Sequence, residues 1–180
     1  MSSEVQLISG QLELEHRHCA AVARACAGVP GAPAADFGEA PAPLRQACMD
    51  YLVLELTAFE ERDQRLADHA RAAAGRGGER SALAQALGRR GSSREALTLL
   101  EAAVAGRSGG WREFADFCGA SWSTRREAIA GSLGGLSTAE WRALSGIDAD
   151  SIVQERQAFA RVAAALPAGI SLEEPAAGSA

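Results

Sequence analysis

Breaks that no helix continues through divide this chain into long stretches whose apolar residues recur at helical spacing. Val29-Pro30-Gly31-Ala32-Pro33 ends the first stretch, Gly75, Gly77 and Gly78 end the second, and Gly106 to Gly110 end the third. Proline lacks the amide hydrogen a helix needs and glycine carries the largest backbone entropy, so such clusters punctuate helices. Alanine is abundant, aromatics are only 5% and β-branched residues never alternate over a strand-length window, so the period-2 signal of a half-buried strand is missing. The class is therefore all-α. The spacing predicts helices over about Ser3 to Ala27, Pro43 to Ala74, Ser81 to Ala105 with a break at Gly88 to Ser92, Gly110 to Leu133, and Asp150 to Leu166. Ser137-Thr138-Ala139-Glu140 resembles a capping box, which opens a short helix over Trp141 to Leu144. Four long helices with short connections predict an antiparallel four-helix bundle with one or two short C-terminal helices. This is a single domain over residues 1–167, followed by a disordered tail over 168–180.

A chain of 180 residues can bury a core without disulfides or a structural metal. No apolar run approaches the roughly 20 residues that span a bilayer, so no membrane association is expected. The N-terminus lacks the basic-then-apolar order of a secretory signal and is acidic where a transit peptide is not. A cytoplasmic location is expected. A net charge of -5 leaves nothing to offset phosphate repulsion, so no nucleic-acid partner is expected either. Cys19, Cys26, Cys48 and Cys118 show neither CxxC spacing nor a close Cys/His pairing of zinc-finger type, and read as reduced thiols packed in the core.

At about 100° per residue each helical side chain has an azimuth that can be compared with the apolar stripe. On the first helix Val5, Ile8, Leu12, Cys19, Val22, Ala23 and Cys26 share one arc. Glu15 lies within it and His16 at its edge, whereas Glu13 and His18 point away. On the second helix Leu44, Cys48, Tyr51, Phe59 and Leu66 share a side with Glu55, Arg62 and His69. On the fourth, Trp111, Phe114, Cys118, Trp122 and Ile129 form the stripe, with Arg125 inside it and Arg126 at its margin. An unpaired buried charge costs several kcal/mol. Inward carboxylates and guanidiniums must therefore meet each other or hold a metal, and the expected internal ion pairs draw on Glu15, Glu55, Arg62 and Arg125.

The segment Leu12-Glu13-Leu14-Glu15-His16-Arg17-His18 resembles the first-helix signature of the hemerythrin-like, or HHE cation-binding, proteins, in which an apolar residue and an acid precede a ligand histidine. His16 stands at that histidine's place. Ala58-Phe59-Glu60-Glu61-Arg62-Asp63-Gln64-Arg65-Leu66 and Trp122-Ser123-Thr124-Arg125-Arg126-Glu127-Ala128-Ile129 resemble the family's later segments, in which a histidine is followed four and five residues on by two acids. Leu136-Ser137-Thr138-Ala139-Glu140-Trp141 resembles the stretch after its last bundle helix. The likeness covers about residues 5 to 145. Ala58 and Trp122 stand where the pattern has histidine, and Arg62 and Arg126 where it has the first acid. The whole chain contains 3 histidines, fewer than a di-iron centre of that kind requires. The resemblance thus implies the family's bundle with a degenerate metal position and no resident cofactor.

Other chemistry is sparse. Glu13-Leu14-Glu15-His16 holds one ExxH, the unit ferritin-like proteins use twice, and no second copy follows. No GxSxG, HExxH, glycine-rich phosphate loop or Ser/His/Asp arrangement occurs, so no catalytic residue is assigned. His69 beside Asp68 is the one candidate general base. The expected function is a non-enzymatic regulatory or protein-interaction module with a protein partner or a second copy of itself, marked by any of Trp111, Trp122 and Trp141 that is exposed. The alternative is a metal-binding or oxygen- and redox-sensing protein with a mononuclear iron or zinc site at His16, Glu15 and Glu55, with Cys19 three residues from His16 on the same face.

Overall fold

A computed structural model describes residues 3–28, 37, 40–73, 93–106, 109–119, 136–168 and 172. The expectations for 75–92, for the helix beyond residue 119, including Trp122, Arg125 and Arg126, and for nearly all of the tail lie outside the described residues. Every regular element among the described residues is helical. These are α1 (Ser3–Ala27), α2 (Ala42–Ala73), α3 (Ser93–Val104), α4 (110–119), α5 (Thr138–Ser145) and α6 (Ala149–Ala165). No helix among them is long and apolar enough to cross a membrane.

The helix α2 is the hub. It packs on α1, α3, α5 and α6, while α1 also meets α5 and α6. Its stripe of Leu44, Cys48, Tyr51, Leu52, Leu56 and Phe59 is fully buried, or nearly so, against Cys19, Val22, Ala23 and Cys26 of α1, Leu100 of α3, Phe114 and Cys118 of α4, and Ala158 and Val162 of α6. Each large apolar side chain withdrawn from water in this way contributes about 1.5–3 kcal/mol, which far exceeds any local propensity term. A second, smaller cluster joins Ile8 and Leu12 of α1, Leu66 of α2, Trp141 of α5 and Ile147. Along α1 the small cluster comes first and the large one second; along α2 the order is reversed. Between the two clusters, on both helices, stand charged residues.

Local chemistry sets the ends of the shorter elements. Ser93 donates its hydroxyl to Asp63 at 2.9 Å, tying the start of α3 to the flank of α2. At Gly110 an added Cβ would stand 2.8 Å from the Ala103 backbone, so glycine is what lets α4 begin against α3. Ser137 accepts from the Glu140 amide at 3.3 Å, and its own amide donates to Glu140 at 2.8 Å, completing the capping box that its sequence resembles. Gly146 ends α5 in the left-handed region at φ 66. Asp148 then opens α6 with a second reciprocal cap on Ser151, which holds its carboxyl below the usual aspartate range.

Candidate functional site

The charged layer between the two apolar clusters is built by helical periodicity. Glu15 falls three residues after Leu12 and four before Cys19, and Arg62 falls three after Phe59 and four before Leu66. Each thus shares the buried stripe of its helix. Arg62 donates from Nη2 to Glu15 Oε2 at 3.0 Å and from Nε to the Ser145 carbonyl at 2.7 Å, while its guanidinium carbon lies 5.4 Å from the Phe59 ring centre. One side chain therefore links α1, α2 and the end of α5. Gln11, one turn earlier on α1, donates to the other Glu15 oxygen at 3.3 Å. Burial raises the Glu15 carboxyl above its ordinary value despite the arginine, and burial pulls the Arg62 guanidinium down.

Glu55 lies two turns before Arg62 on the same face of α2 and is 3% exposed. Its Oε2 is buried and has no hydrogen-bond partner among the described residues. Burial first, and then the carboxylates of Glu15 and Glu155, push its pKa up to about 8 against the pull of Arg62. At neutral pH this side chain is predominantly a carboxylic acid.

The third buried carboxyl, Glu155, comes from α6. Its Oε1 accepts from the Tyr51 hydroxyl at 3.2 Å and stands 2.7 Å from His18 Nδ1. The His18 ring stacks on Phe159 with centres 3.6 Å apart. His18 points away from the apolar stripe of its own helix, as its azimuth predicts, yet it is not left in water, because α6 packs beside that stripe and half-buries the imidazole. Glu155 itself stands three and seven residues before the buried Ala158 and Val162, so the same stripe comparison applied to the last helix finds it. Gln11 and Ser145 carry no such signal. A buried glutamine has no pattern of its own, and Ser145 acts through its carbonyl.

His16 does not join this cluster in a ligand-like way. Its ring packs on Phe59, with centres 4.8 Å apart, and Glu15 beside it is engaged by Arg62. Among the described residues no group of three His, Cys, Asp or Glu side chains is placed to hold a metal ion. Asp68, the neighbour of His69, accepts from Gln64 on the exposed side of α2. The four cysteines are free thiols buried in the large cluster, and burial raises those of Cys19 and Cys26 well above the ordinary thiol value, which makes them poor nucleophiles. Trp141 is buried and Trp111 is half-buried, edge-on to Phe37, so neither marks an exposed docking surface.

A cleft of about 430 Å³ opens onto the charged layer between α2 and the junction of α5 with α6. Glu15, Glu55 and Arg62 form its floor, and Val53, Leu54, Ala58, Gln154 and Ser151 its walls. A strongly perturbed carboxyl in a cleft, beside a fixed guanidinium, is an arrangement that serves ligand recognition or proton exchange. Comparison of the chain with models of protein families, with curated proteins and with solved structures finds no match.

Proposed function

We propose that this chain is a non-enzymatic helical bundle serving as a regulatory or protein-interaction module, in which an internal ion pair has replaced the metal position of a hemerythrin-like plan. The observation that carries the reading is the Glu15–Arg62 contact, a guanidinium holding the acid beside the histidine that the resemblance would make a ligand. Arg62 stands at the very position where the family pattern has its first acid, so a metal-bridging carboxylate has given way to a cation. A cation there serves the electrostatic role of a metal, neutralising Glu15 in a buried layer. The opposite order of the two apolar clusters along α1 and α2 supports an antiparallel bundle.

Metal analysis of protein purified from cells supplemented with iron and zinc tests this reading. The expected result is metal far below one atom per chain, with no change on His16→Ala. Near-stoichiometric iron or zinc that disappears on His16→Ala would overturn it in favour of a metal- or oxygen-sensing protein.

A further inference from the structure

We infer that the cleft over the charged layer binds a small primary ammonium ion, with Glu55 as its counter-charge and the ligand's short apolar body against Val53, Leu54 and Ala58.

The charges lining the cleft do not balance. Arg62 is paired with Glu15 at 3.0 Å, and Arg65 with Glu61 at 3.6 Å. Glu55 is left over, 3% exposed, with a buried oxygen that no described residue meets. A carboxyl in that state is costly to the fold, because a buried acceptor without a donor forfeits hydration that nothing restores. It is retained at the floor of a cleft whose size is at the low end of small-molecule sites, roughly 300–1,000 Å³. Once Glu55 is ionised, the cleft carries one unmatched negative unit, so the complementary ligand is a monocation that stabilises that form. Glu15 and Glu61 are each engaged by an arginine, and among the described residues no group of three His, Cys, Asp or Glu side chains is placed to hold a metal ion. Divalent cations demand six or more oxygen ligands in the case of calcium, or near-octahedral order in the case of magnesium, which a lone carboxyl does not supply. An ammonium group needs only acceptors within hydrogen-bonding reach, and its attached carbon chain suits the apolar wall.

Binding of a cation requires the carboxylate form. The groups that face Glu55 are Glu15 and Cys19 on α1, Tyr51 and Arg62 on α2, and Glu155 on α6, the last held by His18 and by the Tyr51 hydroxyl. At pH 7 the ligand therefore competes with a proton, and a pKa of about 8 lowers apparent affinity about tenfold relative to pH 9. Association at pH 7 expels that proton into the buffer.

Calorimetric titration of the full chain with n-butylammonium chloride, at constant ionic strength, tests the proposal. Expected are saturable binding of one ion per chain, affinity about tenfold higher at pH 9 than at pH 7, and a heat that varies with the ionisation enthalpy of the buffer at pH 7. Glu55→Gln, which keeps the shape and folds as judged by circular dichroism, abolishes the binding. Tetramethylammonium, with no N–H to donate, and butyrate, of the wrong sign, do not compete. Absence of saturable binding on the order of 10 mM, undiminished binding to Glu55→Gln, or equal binding of butyrate would each overturn the proposal. None of these outcomes bears on the metal content that tests the preceding reading.

Discussion

Replacing Arg62 by alanine removes the guanidinium that links three helices, and the cost follows from what is left behind. The Ser145 carbonyl loses a charged donor at 2.7 Å, and Glu15, buried beside Glu155, keeps only Gln11 at 3.3 Å. Removing one partner of a buried ion pair costs about 3–5 kcal/mol when the other must stay charged. Glu15 has an alternative, which is to take up a proton. Relative to an ordinary glutamate at 4.5, that costs about 1.4 kcal/mol per pH unit, or roughly 3 kcal/mol at pH 7. The two routes meet near the same figure, so the expected loss at pH 7 is about 3–4 kcal/mol, or roughly 10 °C in Tm for a chain of this length.

The sign with pH separates the routes. In the variant the folded-state pKa of Glu15 lies still further above its unfolded value, so the folded chain holds a proton that the unfolded chain releases. Stability then rises as pH falls towards 4.5. Urea denaturation at pH 7 and pH 5 should show the deficit against wild type shrinking by about 2 kcal/mol. The double variant Glu15→Gln with Arg62→Met, which removes both charges, should return to within about 1 kcal/mol of wild type. A loss below about 0.5 kcal/mol at pH 7, or a deficit that grows as the solution is acidified, would refute the account of Arg62 as the counter-charge of a buried acid.

Glu55→Gln should stabilise the ligand-free chain. A carboxyl raised from 4.5 to about 8 takes stability from the fold as pH climbs through that window, so the variant should gain roughly 3 kcal/mol at pH 7 and nothing below pH 4.5. Equal denaturation midpoints at pH 7 would place Glu55 in water. Gly146→Ala meets two obstacles: φ is 66, and the new methyl would run into the Arg65 guanidinium, which donates to the Leu144 carbonyl at 3.3 Å. A loss of about 1–2 kcal/mol is expected by thermal denaturation, and no measurable change would mean that α5 ends without a left-handed residue.

What could be read before any coordinates depended on how local the cause is. The start of α5 was legible because a serine three residues before a glutamate satisfies orphan amides within one turn. The burial of Glu15, Glu55 and Arg62 could be read from azimuth alone, since apolar neighbours three and four residues away lie on the same side of a helix. Azimuth says nothing about which buried charge faces which. The pairing of Arg62 with Glu15, rather than with Glu55 on its own helix, depends on how α1 rests on α2. The surroundings of His18 were hidden for the same reason: they come from α6, distant in sequence by 137 residues.

Composition and spacing along the chain were sufficient to establish a helical protein and the inward side of its first two long helices, because those properties come from turn-by-turn hydrogen bonding and from water's exclusion of apolar groups. Packing alone decided that three acids share one layer with a single arginine, that one of them goes without a partner among the described residues, and that a cleft reaches it. Coulombic energies inside a protein vary with distance and with exclusion of water, and both quantities exist only once the helices have met.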